Sequence, residues 1–239
     1  MRSALLVVPL VLAAVALADE PAAAPPQKDR APVATDKKSA PKSEPKASRP
    51  GWALAAGKNL PGPIHAYYVS GPYMTRLRQE NKDAKKVFGR FHCPISHPGL
   101  EPIVLLFVRD LRVNDALKDL LHRLDSLVEK NPYSRISVGV VFISAEVKDV
   151  VTEDDLREDL ATKLEDLAGE LKISHIALCL DGPADVEKYE LDPEETYTLV
   201  LARRYAVLAS ETLPRDKLTP QKVAQIVDEV AKTFGAKHR

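Results

Sequence analysis

The stretch from Pro102 to Leu124 reads "PIVLLFVRDLRVNDALKDLLHRL". Its first part, Ile103 to Val108, is an unbroken run of β-branched and apolar residues, the pattern of a strand buried on both faces. Pro102 stands at the start, where a strand tolerates proline. After a charged turn, Asn114 is placed to cap a helix. Leu117, Leu120, Leu121, Leu124 and Val128 then recur at helical spacing. A buried strand that feeds an amphipathic helix is the first half of a βαβ unit.

The rest of the chain repeats the unit. Asn131-Pro132 ends the helix, and Ile136 to Ile143, "ISVGVVFI", is a second buried strand. Thr152 to Asp155 resembles a capping box, and Leu156, Leu160, Leu164, Leu167 and Leu171 line one face of the helix that follows. Ile173 to Leu180 is a third strand. Tyr197 to Ala202 and Tyr205 to Ala209 form an antiparallel pair joined by Arg203-Arg204. Thr219-Pro220 opens a last helix with apolar face Val223, Ile226, Val227, Val230 and Phe234. Upstream, Ile64 to Val69 is a further strand, and Tyr73 to Phe88 is an irregular segment with a helical turn. Strands alternating with helices predict an α/β fold with helices on both faces of a parallel sheet, made mixed by the closing hairpin.

The N-terminus has a different character. Arg2 precedes an apolar run from Ala4 to Leu17 that ends in Ala16-Leu17-Ala18, the layout of a secretory signal peptide over residues 1–18. The run is shorter than the roughly 18–20 residues a helix needs to cross a bilayer. No transmembrane segment is expected once the signal is removed, and the mature chain is expected to be exported, periplasmic or extracellular. Residues 19–57 are rich in Pro, Ala and Lys and offer little apolar surface to offset the entropy of ordering. They are read as a disordered tether leading into a domain over 58–236.

The whole chain has 34 basic and 34 acidic residues. Setting aside Arg2 and the charges of residues 19–50 leaves 26 basic against 29 acidic, a net of −3. No basic stripe is available to neutralise phosphates, so nucleic acid is not an expected partner. No Ser-His-Asp arrangement, glycine-rich phosphate loop or paired-carboxylate cleft is readable.

The stretch "HIALCLDGPADVEKYELDPEETYTLVLARRYAVL", His175 to Leu208, together with the element order resembles the thioredoxin-like superfamily, in its peroxiredoxin and TlpA-like branch. The shared pattern is a strand ending in Asp, a short helix with Tyr, then a strand and a hairpin. The resemblance spans Ile64 to Phe234. It implies a thioredoxin-like fold: a central mixed sheet flanked by helices, closed by a β-hairpin and a C-terminal helix. It also implies a reactive cysteine between the first central strand and its helix, and a cis-proline before the hairpin strand. This chain has Asp110, Leu111, Arg112, Val113 and Asn114 at the first place and Tyr197 at the second. Asp110, Leu111, Val113 and Tyr197 therefore mark a vestigial site. Tyr197 is expected to lie near Asp110 to Asn114, after a trans peptide bond.

The remaining candidate is "FHCPISHP", Phe91 to Pro98. Cys93 and Ser96 stand at C-x-x-S spacing, which resembles a monothiol glutaredoxin site, but Pro98, Gly99 and Pro102 oppose a helix starting at Cys93. His92, Cys93 and His97 are residue types that ligate zinc or copper. "CPISH" lacks the cysteine adjacent to histidine that covalent haem attachment needs, so no cofactor is implied. Cys179 reads as a core residue. Whether it bonds Cys93 depends on their α-carbons approaching within about 7 Å. The main expectation is a redox-degenerate binding or structural module with a protein partner. The alternatives are a one-thiol oxidoreductase using Cys93 and a periplasmic metal-binding protein using His92, Cys93 and His97.

Overall fold

The computed structural model describes residues 54–80, 89–144 and 154–237. The expected signal peptide and most of the expected tether lie outside these residues, as do Thr152 and Glu153 of the capping pattern. In chain order the elements are β1 (Tyr67–Tyr68), α1 (Pro72–Glu80), β2 (Arg90–Phe91), β3 (Pro102–Val108), α2 (Asp115–Lys130), β4 (Ser137–Ile143), α3 (Asp154–Leu171), β5 (Ala177–Asp181), β6 (Tyr197–Arg203), β7 (Ala206–Leu213) and α4 (Pro220–Phe234). They form one sheet in the order β2-β1-β5-β4-β3-β6-β7. β3, β4 and β5 are parallel neighbours, while β6 and β7 close the sheet as an antiparallel hairpin. This is a thioredoxin-like arrangement, with α3 and β5 added before the hairpin.

Two of the helix starts read from the sequence lie among the described residues and are capped as their residue types dictate. Asn114 accepts the Leu117 N–H through its side chain at 2.8 Å. Thr219 accepts the Lys222 N–H at 3.2 Å, with Pro220 first in the helix.

Helices lie on both faces, as expected, but the three long ones share one of them. Val104, Leu106, Val140, Phe142, Leu178, Leu199 and Leu201 point to one face, where they pack against the apolar sides of α2, α3 and α4 together. The reason is handedness. The chain steps from β3 to β4 to β5 in one direction, so two right-handed crossovers leave both helices on the same side. The other face carries Ile103, Leu105, Phe107, Val141, Cys179 and Val200. It is covered by α1 through Met74, by residues 54–66, by the Cys93 loop through Ile95, and by residues 186–191.

Several elements differ in extent from the sequence reading. The first strand is paired only at Tyr67–Tyr68, because the chain arrives from Pro61 and Pro63, which lack donors, across the second face. Residues 72–80 are helical rather than irregular. β5 begins at Ala177, not Ile173, because Asp125 of α2 takes the preceding donors. Its Oδ1 accepts the backbone N–H groups of Ser174, His175 and Ile176 at 3.0, 2.6 and 3.1 Å. The hairpin turn falls on Arg204 and Tyr205, both at positive φ (52° and 64°), since Arg203 still pairs with Ala206.

Residues 54–60 are part of the packed structure. Leu54 is fully buried, and the Gly57 N–H donates to the Val207 carbonyl at 2.8 Å. The Leu60 N–H reaches the Tyr205 carbonyl at 2.7 Å. This pairing covers part of the otherwise open β7 edge.

Candidate functional site

The place where the resemblance puts a reactive cysteine lies between β3 and α2. Val108 is the register partner of Tyr197, and the Arg109 N–H donates to the Thr196 carbonyl at 2.9 Å. The start of β6 is thereby held beside the loop over 109–114, and the Thr196–Tyr197 peptide is trans. Within the loop, Asp110 accepts the Arg112 backbone N–H at 2.8 Å and the Arg112 guanidinium at 3.0 Å. A second guanidinium, that of Arg215 just before α4, also pairs with Asp110. Burial alone would raise the Asp110 carboxyl. The Arg112 hydrogen bonds and the Arg215 charge outweigh it and hold the group below its ordinary range.

Tyr197 is 2% exposed and packs into the core under the three helices. Burial raises its phenol, against a smaller opposing effect of Arg215. Its hydroxyl has no partner at hydrogen-bond geometry among the described residues. Asn114 lies close enough to ease its ionisation, but that side chain's oxygen is committed to the Leu117 N–H. Leu111 and Val113 pack onto the same core. They also line a cleft of about 280 Å³ against Leu160, Leu164 and Leu167 of α3. Lys118 and Glu170, joined by a 2.7 Å ion pair, stand among its lining residues. The loop holds ion pairs, a cap and apolar packing, but no side chain able to attack a disulfide or a peroxide.

The Cys93 loop sits on the opposite face of the sheet. The His92 N–H donates to the Ala66 carbonyl at 3.0 Å, which continues the β2–β1 pairing. The chain then turns over β4. Pro94 and Ile95 are buried, and a side chain at Gly139 of β4 would meet the Pro94 ring at 3.0 Å. Glycine at this position leaves room for the loop to lie close against the sheet. No helix starts at Cys93. A tight turn closes instead, with the His97 N–H on the Cys93 carbonyl at 3.0 Å and the Ser96 N–H on the Cys93 Sγ at 3.3 Å.

This turn brings together two of the three proposed metal ligands. His92 Nε2 and His97 Nδ1 are 2.7 Å apart. The His92 ring stacks on Tyr73 of α1 at 4.2 Å with a 6° interplanar angle, and Tyr68 meets its edge. Partial burial lowers both imidazoles, helped by their mutual repulsion at His92 and by Arg76 at His97. Among the described residues no group of three His, Cys, Asp or Glu is arranged to hold a metal.

Cys93 and Cys179 are both free thiols. Cys179 is wholly buried on β5, where burial pushes its thiol well up. Two residues on, Asp181 is also wholly buried. One oxygen accepts the Gly182 N–H at 2.9 Å, and the other has no partner among the described residues. Burial first, and then the neighbouring Asp185 carboxyl, push Asp181 up to about 8. The sequence reading assigned no role to Asp181 or Asp125. Asp125 carries a weak signal, an acidic residue on the apolar side of a helical repeat beside Leu121, Leu124 and Val128.

No protein-family model matches the chain, and no curated protein matches it in sequence. Solved structures do. A mutant of peroxiredoxin Q from Xylella fastidiosa is 10% identical, with a TM-score of 0.49 over 77% of this chain and 99% of that one. A mutant of Xanthomonas campestris peroxiredoxin Q is 9% identical, with a TM-score of 0.44 over 62% and 85%. A secreted disulfide oxidoreductase from Mycobacterium tuberculosis is 11% identical, with a TM-score of 0.43 over 60% and 90%. The thioredoxin-like assignment rests on the strand order and connections of the chain itself.

Proposed function

We propose that this chain is an exported, redox-degenerate thioredoxin-like domain that serves as a binding or structural module for a protein partner. It is made with a signal peptide over residues 1–18 and carried on a tether that starts at residue 19 and ends before the packed Leu54. The compartment is periplasmic or extracellular. One observation carries the reading: where a thioredoxin-like enzyme needs a thiol, Asp110 stands paired with Arg112 and Arg215. A carboxylate neutralised by two guanidinium groups is a structural lock, and it supplies no nucleophile for disulfide or peroxide chemistry. Among the described residues no helix is long and apolar enough to cross a membrane.

The test is insulin-disulfide reduction and peroxide turnover by the full mature chain. Rates at the uncatalysed background are expected. Turnover that disappears in Cys93→Ser would sink the proposal and establish its rival, a one-thiol oxidoreductase. That rival draws support from the partly exposed Cys93 sulfur, which accepts the Ser96 N–H at 3.3 Å. Against it stand the missing helix N-terminus at Cys93 and the position of the loop, on the sheet face away from the β3–α2 junction.

A further inference from the structure

We propose that His92 and His97 form an open, two-imidazole site for a borderline divalent cation, with zinc as the test ion, and that Cys93 is not among its ligands. The proposal is independent of the Asp110 lock and stands on the geometry of the Cys93 turn.

Two ring nitrogens 2.7 Å apart share one proton, since one must donate and the other accept. A divalent cation takes the place of that proton. Two zinc–nitrogen bonds of about 2.0–2.1 Å at a tetrahedral angle put the nitrogens roughly 3.3 Å apart. The rings must separate by about 0.6 Å, a small rotation for an exposed side chain such as His97. His92 is the anchored partner, stacked on Tyr73 and bordered by Tyr68. The turn itself is held by its buried Pro94 and Ile95 and by the Cys93–His97 backbone bond, so the two imidazoles converge before any ion arrives. That pre-organisation lowers the ordering cost of binding.

Cys93 is directed elsewhere. Its sulfur meets the Ser96 N–H and packs against the core of the second face. Two protein ligands leave two tetrahedral positions open, to water or to a carboxylate or imidazole of a partner. Such a site suits a binding module, in which the cation bridges two proteins.

Isothermal titration of zinc chloride into the full mature chain, purified without a histidine tag, tests this. One equivalent is expected, with a dissociation constant on the order of 10 µM, as suits a site with only two protein ligands. His92→Ala and His97→Gln should each weaken binding roughly tenfold or more, while His122→Ala on α2 and Cys93→Ser should leave it unchanged. Far-ultraviolet circular dichroism of each variant separates a lost ligand from a lost fold. The exposed His97 keeps the test alive if the stacked His92 proves necessary for folding. Absence of saturable zinc uptake by the full chain overturns the proposal. So does unchanged binding in both histidine variants, or loss of binding in Cys93→Ser, which would move the site to the thiol.

Discussion

The β3–α2 junction and the Cys93 turn each hold half of what a thioredoxin-like redox site needs. The junction keeps a capped helix N-terminus, beside a strand that starts at Tyr197, but has no thiol. The turn keeps a partly exposed thiol with one backbone donor, but has no helix. The two lie on opposite faces of the sheet, so neither completes the other. Reactive thiols in this fold come from the coincidence of a cysteine with a helix terminus. In this chain the cysteine and the helix terminus stand apart.

The largest expected effect breaks the turn. Gly139→Val should cost about 3 kcal/mol, read from denaturant midpoints, because the new side chain meets Pro94 at close range and also faces Leu105. It should free the Cys93 loop and speed alkylation of Cys93, with no change at the junction. Unchanged stability would mean that the loop does not need its approach to the sheet.

Next comes a contrast of sign between two acids. Asp181 is raised to about 8, so the folded state holds a proton that the unfolded chain releases. Its effect on stability is therefore neutral at acid pH and increasingly unfavourable as pH climbs from about 4 through 8. Asp181→Asn should flatten that slope and gain about 2 kcal/mol at pH 9 relative to the parent. Asp110 is depressed, so its contribution is present above the unfolded value and lost as pH falls below about 4. Asp110→Asn should cost only about 1 kcal/mol at pH 7, because Arg112 is well exposed and water screens the pair. Equal pH slopes in the two variants would erase the distinction.

Restoring the missing coincidence sharpens the comparison further. Asn114→Cys in a Cys93→Ser background places a thiol at the α2 cap, beside Arg112. Its pKa, from the pH dependence of iodoacetamide alkylation, should fall about one unit or more below the unperturbed ~8.5. A normal value would show that the junction no longer activates thiols. The smallest effect is at Tyr197. Removing a buried hydroxyl that lacks a partner should be neutral or stabilising by about 0.5 kcal/mol in Tyr197→Phe, whereas a loss above about 1 kcal/mol would reveal a hydrogen bond to Asn114.

The order of elements and the helix caps were legible in the sequence because they are local. Apolar periodicity sets strand or helix within a few residues, and Asn114 and Thr219 cap donors three positions away. The empty position at Asp110 was legible for the same reason, as a missing residue type at a known place in that order. What the tertiary structure alone decided are meetings between distant segments. Asp125 reaches donors 49 to 51 residues away and so delays the start of β5. Arg215 crosses to Asp110 from the far side of the hairpin. α2 and α3 share one face because both crossovers run the same way. His92 and His97 would diverge on an extended strand, and they converge because the chain turns at Cys93 to lay Pro94 on Gly139. A sequence specifies each of these partners, but which of them meet is set by packing, where one glycine or one buried carboxylate chooses the neighbours.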